Sequence, residues 1–268
     1  MNPAAPDASV PADLDAALQQ LARTAAAAGT LIGLDFDGVL APLRDDPAAS
    51  RPLPAAADAL ARLARVPGLH LAFVSGRALI DLADRSTPPG GTWLAGSHGA
   101  ERGRWIDGRL HRIELGLDPA AAAILEDLAD RLRAAVAGST GRVERKPASV
   151  VLHTRTATDD DAARLTAAAL ALGARDGVDV LHGKDVVELS VHRATKGGVL
   201  AALRSELGVG ALAYAGDDVT DERAFAALDP ADVTIKVGAG STAARFRVAD
   251  PVAFAAVLGR LADLAARE

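Results

Sequence analysis

Two aspartates, Asp35 and Asp37, stand two residues apart at the end of the apolar run in "LIGLDFDGVLAPL". A carboxylate that leaves water without a partner loses hydration it cannot recover, so acids placed there must face something. Other polar groups fall at the ends of other apolar runs, Ser75 in "FVSGR" and Asp217 and Asp218 in "GDDVTDE", and Lys196 in "TKGGVL" stands at a helix start. If those ends converge, Asp35, Asp37 and one of Asp217 or Asp218 share a small space. Unit charges about 4 Å apart repel by roughly 4 kcal/mol at an effective dielectric near 20, so such a cluster needs a cation. All the ligands are oxygens and the chain has no cysteine. That favours Mg²⁺, a hard octahedral ion usually held by a few carboxylates and a substrate phosphate. A cation there lets a carboxylate approach a phosphoryl group. An aspartate can then accept the phosphoryl as an aspartyl-phosphate. A second acid beside it can protonate the leaving oxygen and later deprotonate the attacking water. Lys196 adds positive charge. The Ser75 hydroxyl and the N–H groups after it, those of Gly76 and Arg77, can donate to phosphate oxygens.

For this to work the strand ends must lie at one edge. In open α/β sheets, ligands bind beyond the carboxyl ends of the strands. Leu14, Leu18 and Leu21 lie at helical spacing within 13–28, and a strand follows from Leu31 to Asp35. Next come a helix near Pro54–Val66, the strand in "HLAFVSGR", a further helix, and the strand in "TWLAGSHGAE". Strand and helix alternating in this way imply parallel strands with crossover helices. The texture changes after Glu101. "RWIDGRLHRIEL" reads as a hairpin about Asp107-Gly108. A helix over 119–136, strands near 142–146 and 149–155, a helix over 159–172 and a strand pair within 178–191 complete an α+β order. From Lys196 the first alternation returns. The expected organisation is a tail over 1–12, an α/β core with a doubly wound parallel sheet at 13–102 and 191–268, and an inserted α+β cap at 103–190.

Bulk properties narrow the partners. The 268 residues carry a net charge of −6, which argues against a nucleic-acid surface, whose affinity rests on many phosphate contacts from Lys and Arg. Aromatics are only 3%, so the core must be built from Ala, Leu and Val. Without cysteine there is no disulfide, thiolate catalysis or zinc–thiolate site. No apolar run is long enough to span a bilayer. The N-terminal stretch has no basic end followed by an apolar core, so the expectation is a cytoplasmic protein, with a monomer plausible.

Together "DFDGVL", "FVSGR", "TKGGVL" and "GDDVTDE" resemble, in order, the four motifs of the haloacid dehalogenase-type phosphohydrolases, and the resemblance covers the chain after the tail. It implies a Rossmann-like core with Asp35 as nucleophile and Asp37 as general acid/base. Ser75 and Lys196 then bind phosphate. Asp35, the Asp37 carbonyl and Asp217 hold Mg²⁺, with Asp218 and Asp221 in support. Val39 stands where that family often has Thr, which removes a hydroxyl but no catalytic group. The gap from Asp35 to Ser75 holds little more than a helix and a strand, whereas that from Ser75 to Lys196 is far longer, so the cap lies between the second and third motifs. More closely, "GSHGAE", "ERKPASVVLHTR", "GKDVVEL" and "GDDVTDERAF" resemble the trehalose-6-phosphate phosphatases. That resemblance implies hydrolysis of trehalose 6-phosphate to trehalose and phosphate; a sucrose phosphate or glycosyl-phosphoglycerate phosphatase would share the same core.

Alternation in the cap strands puts Glu144 with Lys146, His153 with Arg155, and Lys184 with Glu188 on polar faces, opposite Val150, Leu152, Val187 and Leu189. By analogy with the family, Glu144, Lys146, Lys184 and Glu188 grip the sugar, with His98 and Glu101 from the core loop. Simpler readings stand beside these. Arg77 reads equally as a structural ion pair or a substrate contact. Asp218 or Thr220 reads as a helix N-cap. His98 could anchor its loop, and His153 and Arg155 fit structural roles. Lys196 at a helix start is a poor structural choice, because that end of the helix dipole is positive.

Overall fold

A computed structural model describes residues 10–114, 116–117, 119–191 and 195–268. Of the tail expected over residues 1–12, residues 1–9 lie outside the described residues, and α1 already begins at Ala12. The chain divides into two compact units, Met1–Ile113 with Thr195–Glu268, and Glu114–Ala194.

The first unit is built on an eight-stranded sheet. In chain order its elements are α1 (Ala12–Ala28), β1 (Thr30–Leu34), α2 (Pro54–Leu63), β2 (Leu69–Val74), α3 (Leu79–Ser86), β3 (Trp93–Gly96), β4 (Glu101–Ile106) and β5 (Arg109–Ile113). The second unit holds α4 (Pro119–Val136), β6 (Arg142–Arg145), β7 (Ser149–His153), α5 (Asp159–Gly173), β8 (Asp179–Gly183) and β9 (Val186–Ser190). The first unit then resumes with α6 (Lys196–Leu207), β10 (Ala211–Gly216), α7 (Val219–Ala227), β11 (Val233–Val237), β12 (Phe246–Val248) and α8 (Pro251–Ala265).

Sheet order is β12-β11-β10-β1-β2-β3-β4-β5. Strands β12 through β3 pair in parallel, while β3 with β4 and β4 with β5 are antiparallel. Period-two alternation sorts the central strands' side chains between two apolar layers. Ile32, Leu34, Leu71, Phe73, Ala213 and Ala215 join the layer under α1, α2, α3 and α8. Leu31, Ala72, Val74, Leu212 and Tyr214 join the layer under α6 and α7. Both faces are covered, so these strands are mostly apolar, and Asp35, Ser75 and Asp217 fall just past their carboxyl ends.

The β4–β5 hairpin corrects the expected boundary of the insert. It turns at Asp107 and Gly108, both with positive φ, as read from the sequence, but it pairs with β3 and extends the core sheet. Hairpin chemistry is local, and nothing in it specifies which sheet edge it joins. The three-residue β12 also escaped the sequence reading, since so short a strand leaves no periodic signal.

In the second unit, strand order is β6-β7-β9-β8, all antiparallel. Val150, Leu152, Val187 and Leu189 pack with Leu125, Leu128, Leu132 and Leu165 of α4 and α5. The register brings Glu144, Val151, Glu188 and Leu181 into one row on the other face.

Candidate active site

Asp35 directly follows β1 and is 5% exposed. Its Oδ1 accepts from the Phe36 N–H (2.6 Å) and its Oδ2 from Lys196 Nζ (2.7 Å). Burial pushes its carboxyl well above the ordinary range, opposed by the Lys196 charge and reinforced by Asp221. Lys196 opens α6 behind the N-cap Thr195, where a cation is disfavoured by the helix dipole. Three carboxylates compensate: besides Asp35, Nζ donates to Asp221 Oδ1 (2.8 Å) and lies 3.8 Å from Asp218 Oδ1. Burial alone would lower the ammonium's pKa, but Asp35 and Asp221 outweigh it and raise it.

Asp221 is fully buried and all its acceptance is directed. Oδ1 also takes the Tyr214 hydroxyl (2.5 Å), and Oδ2 takes the N–H groups of Asp217 (2.9 Å) and Asp218 (3.0 Å). It therefore ties Lys196 to the loop that carries Asp217 and Asp218. Gly216 has no side chain because a Cβ there would meet the Asp221 carboxylate at 2.2 Å. Asp218 is the N-cap of α7 and forms a capping box with Asp221. Burial raises its pKa, but Thr220, Lys196 and the Asp221 N–H pull it down to about 2. The N-cap reading thus holds for Asp218.

Asp217 reaches toward the first strand's loop. Gly38 has φ +77°, and a Cβ there would lie 1.9 Å from Asp217 Oδ2, so this carboxylate rests against the Asp37–Gly38 backbone. Burial, then Asp221 and Asp218, push its pKa up to about 6. Its backbone carbonyl accepts from Lys236 Nζ (2.6 Å) at the end of β11, and Lys236 also faces Glu222 Oε1 (3.3 Å).

Among the described residues, Asp35, Asp218 and Asp221 each bring an oxygen within 4.8 Å of the others. The Lys196 ammonium already lies among those oxygens. The acid left short of positive charge is Asp217, held against the glycine cradle. The buried Asp35, the half-buried Asp217 and the backbone turn at Asp37 offer only oxygen donors, a set that could hold a hard divalent cation through Asp35, the Asp37 carbonyl and Asp217.

Ser75 follows β2 and is 2% exposed. Its N–H donates to Ala95 O (2.9 Å), and its Oγ accepts from the Arg77 N–H (3.2 Å). The His98 ring lies against Gly76, where a Cβ would be 2.7 Å away. His98 has φ +57°, and its N–H donates to Ser75 O (2.9 Å), which folds the loop after β3 back onto the serine. Arg77 turns from the strand end onto Asp37: Nε to Oδ2 is 2.5 Å and Nη2 to Oδ1 is 2.8 Å.

One cleft of about 410 Å³ gathers Asp35, Asp37, Ser75, Gly76, Arg77, His98, Lys196, Asp217 and Asp218, with Leu43 and Arg44 also on its wall. Glu101 does not line it. Its Oε1 accepts from Ser97 Oγ (2.7 Å) and the Leu79 N–H (3.3 Å), so it anchors the turn into α3.

The polar residues of the second unit form their own constellation. Glu188 Oε1 accepts from Ser149 Oγ (2.5 Å) and Lys146 Nζ (3.2 Å), and Glu144 Oε2 pairs with His153 Nε2 (2.8 Å). Lys184 does not share a strand face with Glu188. It sits with Asp185, which has φ +59°, in the two-residue turn between β8 and β9, because the strand ends at Gly183. With Asp185, His153 and Arg155 it lines a separate cleft in that unit.

Tyr214, Asp221's four-way acceptance and Lys236 were not singled out from the sequence. Tyr214 and Lys236 lie inside apolar strands, and a buried lysine in such a run was the one available signal, since buried charges are rare without partners.

Comparison with known proteins agrees with this geometry. The trehalose-phosphatase family model matches residues 33–251. A trehalose-phosphate phosphatase of Mycobacterium marinum is 38% identical over 241 residues, covering 85% of this chain and 60% of that protein. One from Mycobacterium avium is 40% identical over 248 residues, covering 85% and 61%. The chain thus spans about three fifths of the length of these relatives. The structure of Aspergillus fumigatus trehalose-6-phosphate phosphatase has the same fold, with a TM-score of 0.68 at 22% identity over 92% of this chain and 97% of that one. With its α/β fold, its three strand-end motifs, the lysine that opens α6 and this match, the chain belongs to the trehalose-phosphatase family.

Proposed function

We propose that this protein hydrolyses trehalose 6-phosphate to trehalose and phosphate, with Mg²⁺ held by Asp35, the Asp37 carbonyl and Asp217. The observation that carries the reading is the buried Asp35–Lys196 contact (2.7 Å) at the floor of a cleft also lined by Asp37, Ser75 and Asp217. When bound, the ion offsets the repulsion between the Asp35 carboxylate and the phosphate dianion. Lys196 holds Asp35 Oδ2, which leaves the carboxylate fixed for attack on phosphorus. The O–P bond to the sugar breaks as the Asp35–phosphorus bond forms, and Asp37 gives its proton to the departing sugar oxygen. Asp37 then takes a proton from water as that water attacks the aspartyl-phosphate, which frees Asp35 and phosphate. Ser75 Oγ and the Gly76 N–H face the phosphate oxygens. Asp218, busy as a helix cap, supports the loop. The family resemblance assigns the sugar hydroxyls to Glu144, Lys146 and Glu188 on the second unit's sheet face.

Phosphate release measured across trehalose 6-phosphate, sucrose 6-phosphate, glucose 6-phosphate and glucosyl-3-phosphoglycerate tests the reading. Trehalose 6-phosphate should have the highest kcat/KM, and EDTA should abolish the activity with Mg²⁺ restoring it. A preference for another ester keeps the chemistry and replaces the substrate.

A further inference from the structure

Arg77 is placed where a phosphate-binding residue is expected, yet its donors are committed elsewhere. A guanidinium has five N–H donors in a fixed fork. Here Nε and Nη2 hold both carboxylate oxygens of Asp37, Nη1 donates to Asp81 Oδ2 (2.6 Å), and Nη2 also donates to Pro47 O (2.9 Å). Four of the five donors are therefore used within the protein. The side chain is only 12% exposed, and its guanidinium carbon lies 5.4 Å from the centre of the buried Phe36 ring. Asp81 is in turn gripped by Arg85 (3.0 Å) on the same helix, and Arg85 also donates to Ala48 O. The fork is thus fixed on its far side by α3, beneath by Phe36 and beside by the segment at 47–48.

Asp37, by contrast, has only Arg77 as a side-chain partner among the contacts of the described residues. A carboxylate offers about four lone-pair positions. Arg77 takes two, and the rest of the group lines the cleft. We propose that Arg77 is a positioning residue: its two-point grip sets the plane and direction of the Asp37 carboxyl, so that one oxygen faces the leaving sugar oxygen and later the attacking water. It does not bind the phosphate. This inference rests on the phosphatase reading above and adds to it the means by which the acid/base group is aimed. A single point charge would not fix that plane, which is why arginine stands here and lysine would not suffice.

The test compares two esters that differ in their need for a proton. A sugar alkoxide is a poor leaving group and needs a general acid; p-nitrophenolate leaves without one. Arg77→Gln, Arg77→Lys and Asp37→Asn are made singly, with Arg77→Gln also in the Asp37→Asn background. With enzyme in excess, first-turnover release of the alcohol or phenol is measured for trehalose 6-phosphate and p-nitrophenyl phosphate. The expected result is a loss of about 10²-fold on the sugar phosphate for Arg77→Gln, and less than about threefold on the aryl ester. Arg77→Lys should not restore the rate. In the Asp37→Asn background, Arg77→Gln should cost less than about twofold on the sugar phosphate, because its target is gone. Equal losses on both esters, or the full loss persisting in the Asp37→Asn background, overturn the inference and return Arg77 to phosphate binding or to a purely structural role. If the wild type does not cleave the aryl ester, the mutant cycle on the sugar phosphate decides alone. Wild-type turnover in Asp35→Asn, which leaves Arg77 untouched, overturns the phosphatase reading itself.

Discussion

The two units use charge in opposite ways. In the first unit, Lys196 of α6 and Asp221 of α7 have side chains 1% and 0% exposed, and each is held by several partners. On the sheet face of the second unit, Lys146 and Glu188 are 37% and 26% exposed, and Glu144 is 41% exposed. Charges removed from water are costly to place and strongly coupled, which suits groups that must not move during bond breaking. Half-solvated charges exchange partners cheaply, which suits recognition of hydroxyl groups. Under the proposed function, the contrast fits chemistry in the first region and discrimination in the second.

The sharpest break falls on the nucleophile. Asp35→Asn should lower phosphate release by about 10⁴-fold or more, with the far-ultraviolet circular dichroism unchanged, since the amide retains the volume and one acceptor. Next comes the buried ammonium. Lys196→Met leaves Asp35 and Asp221 facing each other without a cation, and urea unfolding of the metal-free protein should register a loss of about 3–5 kcal/mol. A loss under about 1 kcal/mol would place that trio in water-like surroundings and dissolve the contrast.

A third test uses pH. The Asp217 carboxyl is raised to about 6 by burial and by Asp221 and Asp218, against about 3.9 in an unfolded chain. The folded protein therefore holds this proton more tightly, and the site's contribution to stability is present below about pH 4 and lost as pH rises through about 6. Asp217→Asn should accordingly raise the Tm of the metal-free protein at pH 7 and leave it unchanged at pH 4. In the wild type, Mg²⁺ affinity measured by calorimetry should fall as pH drops through about 6, because the ligand becomes protonated. The smallest stability effect belongs to the second unit. Lys146→Ala and Glu188→Ala should each change unfolding free energy by less than about 1 kcal/mol. They should nevertheless raise KM for trehalose 6-phosphate about tenfold, with kcat within about twofold.

Much of the first region was legible because a doubly wound sheet makes position speak. Strands buried on both faces are apolar along their length, so Asp35, Ser75 and Asp217 declare themselves as strand ends by interrupting the run. Lys196 declared itself by opposing the helix dipole. What could not be read was the partner of each charge. That Arg77 commits its donors to Asp37, that Glu101 braces Ser97 and the start of α3, and that Tyr214 and Lys196 meet on Asp221 are outcomes of long-range packing. Spacing along the chain does not encode them. The second region was readable as alternation, and its apolar face packs as expected. Lys184 was misplaced because a one-residue error at a strand end moves a side chain from the face into the turn.

The central claim is that Asp35 carries the phosphoryl group. Acid quench during turnover of trehalose 6-phosphate with Mg²⁺, followed by borohydride reduction and peptide mass spectrometry, tests it most directly. Homoserine at position 35, absent without substrate and absent in Asp35→Asn, is the predicted result. A phosphorylated or reduced residue elsewhere, with Asp35 unmodified throughout turnover, would contradict it.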